Sequence, residues 1–345
     1  MNIKILHITD FHYRHNCRLF YSTARKLNNG FIKNNNYVSE ISERDSLNKN
    51  LFNYTKLDDV IINSVLNLNP DLIVIGHCSR INFKTFEKIK KINKNIKIIQ
   101  WFVDSLTKVG PDYLHNLNTF YKYFKILDHS FISTDVQTIQ VNKNDKNKIS
   151  YFPNPSDESI DNLKIDKTSF PLYDLFFAMS HGQHRGVLKK FYKDNRENFI
   201  NNLTKKIPNV VCDLYGLNKI NPIWGDDYFK RLAQSKMALN LSRGKTVKYY
   251  SSDRISSLIP NGITTFIDIK TNLNNFFNDN EVVFYKNIND LAESINYLKI
   301  NDKKRREIGR NGRIKYQKYF NNQLVTNFMV EKTFNFKFSK NYQWI

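Results

Sequence analysis

The residue cluster best suited to chemistry is a run of cations and hydroxyls, Asn240-Leu-Ser-Arg-Gly-Lys-Thr-Val-Lys-Tyr-Tyr-Ser-Ser-Asp-Arg254, directly after a short apolar segment. Ser242, Arg243, Lys245, Lys248, Ser252, Asp253 and Arg254 bring charge and hydrogen-bonding groups together. A helix expected over 253–259, capped by Ser251 or Ser252, adds unpaired N–H donors and partial positive charge. A second run, Ser180-His181-Gly182-Gln183-His184-Arg185-Gly186, also links an apolar segment to a helical one. Its small residues let backbone N–H groups approach an anion, and Arg185 adds a fixed charge. Both runs suit a diphosphate. In the same half, Tyr215-Gly216 ends another apolar run. Asn261-Gly262 ends the expected helix, where Gly fits a left-handed residue and leaves room beside it. The first half offers Asp10, His12, His77, Trp101 and Asp104, carboxylates and imidazoles able to move a proton and an indole able to stack. The plainer roles are a core Trp and a helix-capping Asp.

Asp10-Phe11-His12 resembles the Asp-x-His that opens calcineurin-like metallophosphoesterases. A two-metal site needs several more ligands to hold ions ~3.5–4 Å apart. No Gly-Asp-x-x-Asp or Gly-Asn-His follows, and Gly76-His77-Cys78-Ser79 lacks the second His of a Gly-His-x-His. The metallophosphoesterase is therefore an alternative reading, and Asp10 and His12 are expected at a cleft between domains instead. Neither Gly-x-Gly-x-x-Gly after a strand nor Gly-x-x-x-x-Gly-Lys-Ser/Thr is present, which argues against dinucleotide and P-loop chemistry.

The elements that must position these residues follow from periodicity. Short β-branched or aromatic runs over 3–8, 37–41, 72–75, 96–102, 129–133 and 149–152 alternate with helical spacing at 18–34 and 58–67. This is the pattern of a parallel sheet covered by helices. Between 154 and 170 prolines and acids read as a linker. The pattern resumes with strands over 174–179, 210–215, 237–241, 264–267 and 282–285, and helices over 196–206, 228–235, 253–259, 288–298 and 302–320. Two Rossmann-like halves are expected. The C-terminal stretch 334–344 alternates like a strand and is assigned to packing back on the first half.

The 345 residues suffice for two domains. A hydrophobic share of 41% excludes a disordered chain, and no apolar run reaches the ~18–20 residues of a membrane span. The net charge of +21, from 53 Lys+Arg against 32 Asp+Glu, suits a polyanion, and a basic nucleic-acid binder is a second alternative. Lys, Asn and Ile are abundant throughout, however, and no aromatic-basic recognition motif accompanies them. Cys17, Cys78 and Cys212 form no CxxC pair, which fits a reducing cytoplasm.

The stretches Phe276-Phe-Asn-Asp-Asn-Glu-Val-Val-Phe-Tyr, Ile288-Asn-Asp-Leu-Ala-Glu, Arg305-Arg-Glu-Ile-Gly-Arg-Asn-Gly and Tyr319-Phe-Asn are similar to the C-terminal module of group 1 glycosyltransferases, in the branch named after spore maturation proteins. Residues 239–268, Tyr151-Phe-Pro-Asn-Pro and Asn29-Gly-Phe-Ile-Lys extend the likeness. The resemblance implies a GT-B fold, α/β, with two Rossmann-like domains facing a cleft. Residues 1–155 would bind the acceptor, 171–320 the nucleotide-sugar, and 321–345 would form the tail. It implies metal-independent transfer of a sugar from a nucleotide-sugar to a cell-envelope glycan or another saccharide, lipid-linked or free, in agreement with the absence of Asp-x-Asp. The resemblance implies no cofactor or resident metal and no nucleic acid as partner. A cytoplasmic protein is expected, reaching the inner face of the membrane by peripheral contact. His181, Gly182, Arg185, Tyr215, Gly216, Ser242, Arg243, Lys248, Ser252, Asp253, Arg254, Asn261 and Gly262 would surround the donor. Asp104, or else Asp10 or His12, would serve as base if the reaction inverts. The chain departs from the family's Glu-x7-Glu pair, with Tyr249 and Ser257 at those positions, and Asp253 is the substitute expected for ribose binding.

Overall fold

A computed structural model describes residues 2–47, 57–180 and 195–345. It divides into two compact units, one comprising Met1–Lys108, Asp112–Asp157 and Phe320–Ile345, the other Val109–Pro111 and Glu158–Tyr319.

Unit 1 carries six parallel strands, β1 (Lys4–Thr9), β2 (Tyr37–Ser42), β3 (Leu72–Ile75), β4 (Lys97–Phe102), β5 (His129–Ile132) and β6 (Ile149–Tyr151), in the order β2-β1-β3-β4-β5-β6. The helices between them are α1 (Thr23–Lys33), α2 (Glu43–Leu47), α3 (Leu57–Leu68), α4 (Phe83–Ile92), α5 (Tyr113–Tyr121) and α6 (Lys143–Lys146). Strand residues such as Leu6, Ile8, Ile73, Ile75 and Ile98 pack with Ile61, Val65, Phe86 and Ile89 from α3 and α4 in one core. Such burial of aliphatic side chains on both faces is what drives a parallel sheet to form. Helix α1 starts later than the periodicity suggests, because Ser22 accepts the Arg25 N–H as its cap and the preceding residues form turns.

Unit 2 holds β7 (Tyr173–Ala178), β8 (Cys212–Tyr215), β9 (Ser235–Asn240), β10 (Thr264–Asp268) and β11 (Val283–Tyr285), all parallel, in the order β11-β10-β9-β7-β8. Its helices are α7 (Asn195–Lys206), α8 (Gly225–Ala233), α9 (Ile255–Leu258), α10 (Ile288–Ile300) and α11 (Asp302–Tyr319). Leu175, Phe177, Met237, Leu239 and Phe266 from the strands meet Ile200, Leu203, Leu291, Ile295 and Ile308 from the helices. The fold is α/β, two parallel sheets each covered by helices. Among the described residues no helix is long and apolar enough to cross a membrane.

After α11 the chain returns to unit 1 as α12 (Asn322–Phe334), capped by Asn321. It packs on α1, where the Asn34 amide donates to Gln323 O (2.7 Å) and the Asn322 amide to Lys26 O (3.0 Å). The alternating tail forms no strand. Asn335 takes a left-handed conformation (φ 55°) and stops the helix, and the chain then runs irregularly. Tyr342 and Trp344 bury against Phe328, while Glu331 accepts from the Tyr342 hydroxyl (2.7 Å) and the Ser339 N–H. The alternation therefore marks two sides of a ring-packed segment rather than a ladder.

Sheet 1 also buries two imidazoles. His7 Nδ1 lies 3.0 Å from Asn28 Oδ1, and its Nε2 accepts from the Trp101 indole (3.2 Å), which fixes a neutral tautomer. Burial lowers its pKa to about 4, with Asn28 and Glu40 opposing and Arg25 assisting. Burial and the Lys332 charge bring His129 to about 4 as well. Unfolded histidine takes its proton near pH 6.5, so this contribution is complete above that value and is lost as pH falls toward 4. Denaturant titrations should show stability falling by about 3 kcal/mol per histidine across that window. His129→Gln should flatten the dependence, and an unchanged slope would show that His129 does not contribute.

Candidate functional site

In open parallel sheets ligands bind beyond the carboxyl ends of the strands where the strand order reverses. In unit 2 that place lies between β7 and β9. The segments that follow those strands are the two the sequence singled out. Ser180 is described, but His181, Gly182 and Arg185 lie outside the described residues.

The loop after β9 is knit at its base. The Asn240 amide donates to the Ser251 hydroxyl (2.9 Å), the Ser252 N–H to Ser242 Oγ (3.0 Å), and the Tyr249 N–H to Thr271 O (2.7 Å). Thr246 reaches Asp268 Oδ2 (2.8 Å). Arg254 closes it: Nε donates to Ala178 O (3.0 Å) and Nη1 to Leu241 O (3.2 Å) and Ser252 Oγ (2.8 Å). One guanidinium thus ties the ends of β7 and β9 across the reversal. Burial, followed by the nearby charge of Arg196, lowers its pKa from the usual guanidinium value. Arg196 is buried in the first turn of α7 and is not among the sequence candidates; it follows the Ser180–Gly186 stretch by ten residues, with no local signal of its role.

Neither serine caps the helix here. Ser251 is engaged with Asn240 and the Ser252 N–H with Ser242, so α9 begins only at Ile255 and makes a single turn. An anion at this edge would therefore have to be held by side chains and loop N–H groups more than by a helix end. Arg243 is half-buried, the Lys248 ammonium sits 4.8 Å from the Tyr249 ring centre, and Asp253 is exposed. The Tyr249 hydroxyl accepts from Asn275 (2.7 Å), and Ser257 is buried with its carbonyl bound to Asn261.

Four other candidates are held by packing. Tyr215 O accepts from the Met179 N–H (3.0 Å), and a Cβ on Gly216 (φ 80°) would fall 1.8 Å from Met179 O. Asn261, fully buried, accepts from the Leu163 N–H (2.9 Å) and donates to Ser257 O (2.8 Å). A Cβ on Gly262 (φ 82°) would meet Asp166 Oδ1 at 2.2 Å, and that carboxylate is gripped by Arg313 through two bonds of 2.8 and 2.9 Å. Asn261 and Gly262 thus fasten the 158–170 linker to unit 2.

In unit 1 the strand order reverses between β1 and β3. Asp10, after β1, is buried and paired bidentately with Arg14 (2.7 and 2.8 Å), and it also accepts the His12 N–H (3.0 Å). Burial alone would raise its pKa, but Arg14 and His12 hold it below the usual carboxylate value. His12 has a left-handed backbone (φ 61°), and burial keeps its pKa below normal. Both Asp10 oxygens are thus engaged by Arg14, while His12 Nδ1 lies 3.3 Å from Asp10 Oδ2. Among the described residues no three His, Cys, Asp or Glu side chains are grouped to hold a metal, and Asp10 and His12 gather no further ligands. Trp101 is core. Asp104 differs: its side chain is 51% exposed, and its Oδ2 lies 3.5 Å from His77 Nδ1. The Val103 N–H donates to His77 Nε2 (3.4 Å), which leaves the ring proton on the Nδ1 that faces Asp104, while the ring stacks on Phe102 at 4.9 Å. Sequence reading named both residues but not their pairing, which joins the ends of β3 and β4.

Residues 195–331 match the sequence model of a family described as "Glycosyl transferase-like". The chain is similar in structure to an alpha-glucosyltransferase in complex with UDP and a 13-mer DNA containing a central A:G mismatch, at 13% identity, covering 96% of this chain and 100% of that one, TM-score 0.61. It is also similar to Alr3699/HepE of Anabaena in complex with UDP and glucose, at 12% identity over 97% and 100%, TM-score 0.60. A third likeness is to TarM, at 15% identity over 82% of this chain and 58% of that one, TM-score 0.51. No curated protein matches the chain in sequence. The fold is GT-B, and the sequence match, over most of unit 2 and most of α12, is to a glycosyl transferase-like domain, broader than the spore-maturation branch.

Replacing Arg254 by Met should cost about 2–3 kcal/mol in denaturant unfolding, since it strands two carbonyls at the strand ends. Arg243→Met should cost less than about 0.5 kcal/mol. Equal stability of the two variants would show that Arg254 does not clamp the strand ends.

Proposed function

We propose that the protein is a glycosyltransferase that moves a sugar from a nucleotide-sugar bound by unit 2 to a saccharide or lipid-linked saccharide of the cell envelope bound by unit 1. The observation that carries this reading is the match of residues 195–331 to a glycosyl transferase-like domain, a stretch that includes the 242–254 loop at the β7/β9 reversal of unit 2. Arg243 and Lys248 meet the diphosphate, within the positive field of Arg196 and Arg254, and neutralise charge as it develops on the leaving group. Such preorganised cations let the diphosphate depart without a resident metal. Asp253 binds the ribose in place of the acidic pair that Tyr249 and Ser257 replace. His181, Gly182 and Arg185, which lie outside the described residues, are assigned to the same donor from their sequence. Asp104 takes the acceptor proton, and the protein works in the cytoplasm at the inner face of the membrane. The motifs at 276–285 and 305–312 support the spore-maturation branch.

A thermal-shift screen with UDP, GDP and CMP should raise the melting temperature with one of them. Arg243→Ala and Lys248→Ala should each weaken that nucleotide about fivefold to tenfold, in keeping with the loss of a charge-assisted hydrogen bond. Protection by none of the three would overturn the reading. With the donor identified, Asp104→Asn should lower kcat by about 100-fold or more with little change in donor affinity. Full activity of that variant would remove Asp104 from the mechanism. Duplex DNA belongs in the acceptor panel, since a protein of this fold has been seen with DNA bound; glucosylation of DNA in preference to saccharides would overturn the acceptor assignment.

A further inference from the structure

Unit 2 exposes a second surface at the amino ends of its strands, the edge opposite the 242–254 loop. Phe170, Leu172, Val211, Tyr297 and Ile300 are 90, 64, 53, 57 and 79% exposed. Hydrogen bonds gather the segments that carry them. The Leu172 N–H donates to Gln234 O (2.8 Å) just before β9, and the Asp174 N–H donates to Val211 O (2.8 Å) just before β8. Lys299, beside Ile300 at the end of α10, reaches both Asn209 O and Asp174 (3.2 Å). The apolar side chains therefore lie along one rim.

The rim is also basic. Lys205 and Lys206 are exposed at the end of α7, and Lys303 is exposed at the start of α11. Its acids are largely occupied: Asp174 is buried between Lys236 and Lys299, Asp302 is held by Arg305 and Arg306, and Glu307 pairs with Lys304. Glu293, two turns before Ile300, is the nearest other exposed acid on α10. Lysines in the last turn of a helix complement its dipole and alone signify little. The dipole does not account for a row of exposed apolar side chains among them.

We propose that this rim seats on an anionic lipid surface, with the apolar side chains entering the headgroup region and the lysines meeting lipid phosphates. A second copy of the chain fits poorly, because face-to-face pairing would bring the lysine clusters together. The inference gives the membrane-side placement proposed above a specific surface, but it stands on the rim and not on glycosyl transfer.

The test is sedimentation of the full chain with vesicles of phosphatidylcholine alone and of equal parts phosphatidylcholine and phosphatidylglycerol. Binding should require phosphatidylglycerol. Phe170→Ser/Ile300→Ser should weaken it about tenfold or more, and Lys205→Gln/Lys206→Gln about fivefold or more. Melting temperature and nucleotide protection should be unchanged in both variants, which separates failure of this surface from failure of the glycosyltransferase reading. Absence of wild-type binding to the anionic vesicles would overturn the proposal, as would Phe170→Ser/Ile300→Ser binding as tightly as wild type. Capture by soluble polyglutamate with the same dependence on Phe170 and Ile300 would point to an acidic protein instead and would equally overturn it.

Discussion

The Arg254 guanidinium is the interaction on which the candidate donor edge depends. At a reversal of strand order the two neighbouring strands send their connections to opposite faces, so the backbone beyond their ends has no ladder partner. Ala178 O and Leu241 O stand at those ends, and a planar fork with five donors can serve both at once. A Lys ammonium has no comparable geometry. Once the fork is set, Ser252 is fixed by it, Ser242 is fixed by Ser252, and the loop that carries Arg243 and Lys248 leaves β9 in a defined direction. The cation that resembles a ligand-binding group in the sequence thus also serves as the frame for the others.

Unit 1 repeats the topology and resolves it differently. One chain of polar groups near its reversal between β1 and β3 is linked throughout: Trp101 donates to His7, His7 meets Asn28, and Asn28 donates to Glu40, which also pairs with Arg25. Arg14 and Asp45 close the loop after β1 around Asp10. A satisfied network of this kind rigidifies a region and leaves little to react. One strand further along, Asp104 is half exposed and faces an imidazole whose tautomer is fixed from behind. Asp10 and Asp104 both follow strands of unit 1, and hydrogen bonding separates the framework carboxylate from the candidate one.

The strands were legible because a parallel sheet covered on both faces leaves short, unbroken apolar runs; all eleven appear within about two residues of their periodicity. The likeness of the last ~170 residues to glycosyltransferases pointed to the fold that the structure comparisons bear out. Helices α2, α4, α5, α6 and α12 are not among those the periodicity predicts, and the tail's alternation suggests a strand because period alone does not reveal whether an edge is available to pair with. The site was less legible for a related reason. Residue type announces charge, while role depends on partners far along the chain: Asn261 on Leu163, Gly262 on Asp166, Arg254 on Ala178. No local spacing encodes those separations.

The same distinction sorts the net charge of +21. Arg196 and Arg305 are buried, and Arg313 nearly so. Arg305 bonds Lys236 O and Asp302, and Arg313 grips Asp166, so these two act within the framework. Most of the lysines are solvent-exposed, where ionic screening within ~8–10 Å dissolves their fields. A charge held in a desolvated place acts over a longer range and at greater strength, because less water intervenes. A diphosphate at the β7/β9 reversal, as proposed, would therefore meet Arg196 and Arg254 as well as the exposed lysines; burial first, and then the charge of Arg196, lowers the pKa of Arg254. An anion placed beside the two guanidiniums would offset the like charge that burial makes costly, and this is the electrostatic reason for assigning the proposed phosphate-bearing donor to the edge that Arg254 holds together.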